Sequence, residues 1–194
     1  MPISDCDVRD PRIRRTRQLL QSALRSLLPD KNLDEISVQD ITDSATVNRA
    51  TFYDHYTDKF ALFEALVAGE FHALLHERNI KFDGTCPSTA SAVILAVCDY
   101  LARTHSNSAA CSRHRLLESH MDAAVINSIR LVLLEGVRTH RGNSALPPEM
   151  IASAVSWAIY GAAKEWFYTP DHLPADEIAP PILQLILPIL GAVC

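Results

Sequence analysis

Apolar positions recur along most of the chain at helical spacing. Leu20, Ala23, Leu24 and Leu27 follow the i, i+3, i+4, i+7 rule. Asp10-Pro11 precedes them: Asp caps helix starts, and Pro at a first helical position forfeits no hydrogen bond. Pro29-Asp30 ends the run. A second start falls at Ser37, with Asp40 in the capping-box position and Ile36 and Ile41 at the staple positions on either side. A third falls at Asn48, a capping residue, again with a staple pair in Val47 and Phe52. The spacing predicts three short helices within residues 10–56, the last two separated by residues 44–47. That is the layout of a helix-turn-helix behind a basic first helix, and equally of other small helical bundles.

From Thr57 the pattern lengthens. Phe60, Phe63, Leu66, Val67, Phe71, Leu74 and Leu75 predict one long helix running to about Ile80, broken by Gly84, Pro87 and Ser88. Further helices are expected over about 89–104, 121–140, 149–168 and 179–193. A pause at 106–108, a linker over 142–148 and Pro170 with Pro174 divide them. The expectation is an all-α fold of about nine helices in two domains, residues 1–58 and 59–194.

Composition agrees with helix: Ala and Leu dominate, and Gly is scarce at 6 of 194 residues. The net charge of −5 argues against coating nucleic acid through overall charge. The distribution changes that picture, because Arg9, Arg12, Arg14, Arg15, Arg17 and Arg25 crowd into the first 25 positions. Five cysteines (Cys6, Cys86, Cys98, Cys111, Cys194) with no C-x-x-C are expected to be reduced thiols of a cytoplasmic protein. The N-terminus is polar and reads as lacking a signal peptide. The uncharged stretch 178–194 holds Pro180, Pro181 and Pro188 and is read as a buried or subunit-facing helix rather than a membrane anchor.

Residues 36–63 read Ile-Ser-Val-Gln-Asp-Ile-Thr-Asp-Ser-Ala-Thr-Val-Asn-Arg-Ala-Thr-Phe-Tyr-Asp-His-Tyr-Thr-Asp-Lys-Phe-Ala-Leu-Phe. This resembles the N-terminal domain of TetR/AcrR-family transcriptional regulators. Residues 47–56 with Lys59 and Leu62 carry the resemblance, which reaches back through Arg17, Leu20, Ala23 and Leu27 and covers about 50 residues closely. Beyond Leu66 only helical layout and length are similar. Three positions depart from the family pattern. Thr46 and Asn32 stand where Gly is usual, and Asp54 adds a negative charge where an uncharged residue is frequent.

The resemblance implies that the third helix reads the major groove of a double-stranded operator. Arg49 then suits guanine and Gln39 suits adenine or a phosphate, while Ala50 and Thr51 suit close approach to a thymine methyl. Tyr53, His55 and Lys59 are expected to hold phosphates, Ser37 to offer a hydroxyl at a helix start, and Asn48 to cap the reading helix. The remainder is expected to bind a small apolar or aromatic effector, with Phe71, Leu75, Cys98, Leu101, Met121, Val125, Trp157 and Trp166 as candidate lining. It is also expected to form a homodimer through Ala154, Ala158, Gly161, Ala162, Ile182, Leu183, Ile186 and Leu190. The protein is thus expected to be a ligand-released repressor. Alternatives are a metal-responsive regulator and a helical adaptor that does not bind DNA. His72 with His76, and Cys111, His114, Glu118 and His120, have loose metal-ligand spacing, short of the tight spacing of a known site, so no cofactor or metal is assigned. No G-x-S-x-G, P-loop, dinucleotide fingerprint or H-E-x-x-H occurs, so no enzyme is expected.

Overall fold

The computed structural model describes residues 10–78, 80, 87–105, 118–139 and 146–190. Among them the chain forms eight helices and no strand: α1 (Pro11–Leu27), α2 (Val38–Ala45), α3 (Arg49–His55), α4 (Lys59–Glu77), α5 (Pro87–His105), α6 (Glu118–Thr139), α7 (Pro148–Tyr168) and α8 (Ala175–Leu190). About nine were expected. The chain divides into two compact units, Met1–Glu70 with Ala109–Ala124 and Phe71–Ser108 with Val125–Cys194. No helix among the described residues is long and apolar enough to cross a membrane.

In the first unit α1 packs on α2 and α3, and α2 packs on α3. Asp10 caps α1 by accepting from the Arg12 amide at 2.8 Å, and Pro11 sits at its start. The buried face of α1 is Arg17, Leu20, Ala23 and Leu24, and Leu33, Ile36, Ile41 and Phe52 of the same unit are likewise buried. Emptying the Phe52 site by truncation to Ala removes roughly 3–5 kcal/mol from such a core. Leu62, Phe63, Leu66 and Val67 of α4 are also buried.

In the second unit α5, α7 and α8 pack against one another. Val93, Ile94, Val97 and Leu101 of α5 are buried, as are Val155 and Ile159 of α7 and Ile182 and Ile186 of α8. Helix α8 starts at Ala175, four residues before the start read from sequence. Pro180 and Pro181 look like a helix opening, but Asp176 and Glu177 already stand in the first turn, where the helix dipole favours acids. The two prolines therefore fall in the second turn, inside the helix, where each forfeits a backbone hydrogen bond.

Candidate nucleic-acid interface

Helix α2 is fixed by chemistry at both ends. Ser37 caps α2 with its hydroxyl oxygen, which accepts from the Asp40 amide at 3.0 Å, while the Asp40 carboxylate accepts from the Ser37 amide at 2.8 Å and hydroxyl at 2.6 Å. Those bonds, the hydroxyl's foremost, hold the Asp40 carboxyl at about 2 against its ordinary 3.8. Lys31 stands 3.4 Å from the same carboxylate. At the other end Thr46 takes the left-handed conformation, φ 55° and ψ 44°. Glycine reaches this region without strain, whereas a β-branched residue there crowds its own backbone.

Asn48 then caps α3, its side-chain oxygen accepting from the Ala50 amide at 2.9 Å. Phe52 is the anchor of α3, wholly buried, and Tyr56 just beyond the helix is buried too. The Tyr56 hydroxyl accepts from Arg17 Nε at 3.3 Å and from Gln21 Nε2 at 3.2 Å, with the Arg17 guanidinium over the ring. Arg17 itself is buried. Sequence reading placed this arginine in the family pattern without a role. Its helical register with Leu20 and Leu24 was the available sign that it faces inward.

On the other side of α3, Arg49, Ala50, Tyr53 and Asp54 are exposed, and Thr51 and His55 are half-buried. Tyr53 stands edge-on to Phe52 at 5.4 Å, and Arg49 lies across it, with Nη2 donating to the Tyr53 hydroxyl at 3.4 Å and Cζ 5.8 Å from the ring centre. This contact presets the arginine at the surface. Gln39 on α2 is exposed and donates to Asp43 at 2.6 Å.

Lys59 is differently placed from the expected phosphate clamp. Its ammonium donates to the carbonyls of Leu33 and Asp34 at 2.8 Å each and of Ile36 at 2.9 Å. An ammonium has three donors, and all three are used. Lys59 thus ties the start of α4 to the segment between α1 and α2. Asp58 completes that junction, accepting from the Ala61 amide at 2.8 Å.

Comparison with known proteins agrees with this geometry. Residues 20–66 match the model of the bacterial regulatory proteins of the tetR family. The N-terminal domain belongs to the TetR family. An uncharacterised HTH-type transcriptional regulator of Bacillus subtilis, YxbF, is 41% identical over 59 residues, which span 30% of this chain and 16% of that protein. Among solved structures, a TetR-family regulator from Streptomyces coelicolor superposes with a TM-score of 0.58 at 18% identity, covering 95% of this chain and 99% of the other. RolR, solved with resorcinol, superposes with a TM-score of 0.52 at 18% identity over 94% and 96% of the two chains. These two likenesses are of fold.

Outside the TetR-family domain, the residues singled out for effector and dimer roles separate into groups. Phe71, Leu75, Cys98, Leu101 and Val125 are buried in the second unit. Burial pushes the Cys98 thiol up to about 12, which marks it as packing rather than as a reactive group. Met121 belongs to the first unit and is half-buried. Trp166 is buried and donates from its ring nitrogen to the Leu173 carbonyl at 2.8 Å, closing the α7–α8 connection. Trp157 does not line an interior in this chain, because it is 63% exposed on α7.

Among the expected interface residues, Ala154 and Gly161 are exposed and Ala158, Ala162, Leu183 and Leu190 are half-buried. Ile182 and Ile186 are instead covered by their own chain. Sequence alone marked all of α8 as needing a partner, since an uncharged helix gives no polar face by which to orient it. Leu185 and Ile189 of α8 are exposed, and so are Met150 and Trp157 of α7, which the sequence did not mark for an interface. Cys6, Cys86, Cys111, His114 and Cys194 lie outside the described residues. Among those described, no group of three or more His, Cys, Asp or Glu gathers as metal ligands.

Proposed function

We propose that this protein is a ligand-responsive transcriptional regulator that binds a pseudo-palindromic operator as a homodimer and is released by a small apolar or aromatic molecule. The observation that carries the reading is α3 itself: a capped helix, anchored by one buried phenylalanine, that turns Arg49, Ala50, Tyr53 and Asp54 outward. Arg49 bonds guanine O6 and N7, Ala50 leaves room for close approach, and Tyr53 and His55 face phosphates on either side. The exposed arginines Arg12, Arg14 and Arg15 at the start of α1 add positive potential.

Dimerisation is supported by an apolar stripe. Met150, Ala154, Trp157 and Gly161 stand at i, i+4, i+7 and i+11 of α7, all exposed, and Leu185 and Ile189 do the same on the adjoining α8. Exposed apolar stripes of this kind mark subunit contacts. An effector of apolar character is supported by the side chains of Phe71, Leu75, Cys98, Leu101 and Val125. Any such effector must weaken operator binding by the same factor that operator weakens it, typically 5–150-fold.

The test is fluorescence anisotropy on duplexes enriched from a random pool by the full-length protein. Enriched sites should carry two half-sites about 34–36 Å apart, with affinity falling against salt at a log–log slope near −0.9 per phosphate neutralised. Arg49→Ala should weaken binding by about 1–3 kcal/mol and relax one base position. Enrichment of no sequence, with binding flat against salt, overturns the reading.

A further inference from the structure

We infer that Asp54 is a specificity-determining residue, reading the exocyclic amino group of a cytosine in each half-site. This rests on the DNA-binding reading above and goes beyond it.

The inference starts from helix geometry. Successive side chains on an α-helix are separated by about 100°, so Asp54 lies about 200° round from Phe52, on the side of α3 facing away from the buried anchor. Ala50, four residues earlier, shares that outermost ridge, and both residues are exposed. Ala50 is short, so the Asp54 carboxylate is the tallest group on the ridge. Arg49 and Tyr53 stand to one side of it and contact each other rather than Asp54. Among the described residues no hydrogen bond or ion pair engages Asp54, whereas Asp40 and Asp43 nearby accept from Ser37 and Gln39.

An unpaired carboxylate at the crest of a groove-reading helix is unfavourable beside phosphates unless a donor meets it. Major-groove edges offer few. Guanine presents two acceptors and thymine one, and adenine sets an acceptor, N7, beside its amino group. Cytosine alone presents an amino donor with no acceptor of its own beside it. A carboxylate therefore selects cytosine by attraction there and by repulsion elsewhere. Asp54 is five residues beyond Arg49, about 7.5 Å along the helix at 1.5 Å per residue. The cytosine is accordingly expected about two base-pair steps from the guanine that Arg49 reads, at about 3.4 Å per step.

Both Asp54→Asn and Asp54→Ala are made in the full-length protein, with circular dichroism to confirm unchanged helix content. Each is run against the wild type's enriched site and against that site with the cytosine replaced by each other base. Wild type should prefer cytosine by about 5–150-fold over the other bases. Asp54→Ala should lose that preference at this position alone. Asp54→Asn should move it towards adenine, which an amide bonds at N6 and N7. If both variants bind every sequence more tightly by the same factor with the base ranking unchanged, Asp54 only repels phosphates and the proposal falls while DNA binding stands. If the wild type enriches no duplex at all, the DNA-binding reading falls and this one with it.

Discussion

Lys59 spends its ammonium on three carbonyls of one short segment, and the consequence is separable from any phosphate contact. Lys59→Met keeps much of the stem and leaves Leu33, Asp34 and Ile36 to other donors. Hydrogen bonds to a charged group are worth about 1.5–3 kcal/mol, so urea unfolding should show a loss of that order. The slope of log affinity against log salt should stay as in the wild type. A slope shallower by about one, with stability unchanged, would return Lys59 to the phosphate backbone. Thr46 offers the opposite sign. A β-branched residue at φ 55° is strained, and glycine there is not, so Thr46→Gly should raise stability by about 1 kcal/mol in the same measurement.

At the scale of elements, the caps hold the first three helices, and the capping box of α2 adds an acid-sensitive contribution. Asp40 has a folded value of about 2, below the 3.8 of the unfolded chain. A depressed carboxyl stabilises the fold above its unfolded value, and that contribution is lost as pH falls from about 4 through 2. Asp40→Asn should remove this part of the pH dependence, leaving a flatter curve of unfolding midpoint between pH 5 and 2. A curve that keeps the wild-type steepness would assign the acid sensitivity to other carboxyls. These caps were also what made the first three helices legible: Asp10-Pro11, Ser37 with Asp40, and Asn48 are local signals, each bonding within a few residues. The extent of α7 was legible from its helical periodicity, although its start has no side-chain cap and Pro148, which reads as linker, is its first residue. The start of α8 was not, because the uncharged run points to a start at residue 179, whereas Asp176 and Glu177 already stand in the first turn. Lys59 was illegible in a different way: its partners lie 23 to 26 positions away and are backbone atoms, which no pattern of side chains encodes.

For the whole molecule, the decisive quantity is which apolar surface the chain covers by itself. Ile186 is fully buried and Leu185, its neighbour, is 61% exposed. A charge at Ile186 enters an apolar interior without a partner and should unfold the second unit. Leu185→Asp should leave the monomer's helices intact and break the proposed dimer, read by sedimentation at low micromolar concentration with circular dichroism alongside. A Leu185→Asp protein that stays dimeric moves the subunit contact away from α8. Fold class was legible at this scale from helical periodicity. The inward and outward sides of α8 were not, because orientation of an uncharged helix is decided by its neighbours α5 and α7.

The single anchor of α3 carries one more implication. Phe52 holds the helix to the core, while Ala50, Tyr53 and Asp54 stand outside it. The letters that maintain the fold and those exposed for reading are thus different letters. Target preference is free to drift across lineages at nearly constant stability, since surface changes away from caps usually stay within about 0.5 kcal/mol. A library randomised at 50, 53 and 54 should consequently be mostly folded, a reservoir from which new operators are acquired without first rebuilding the protein that reads them.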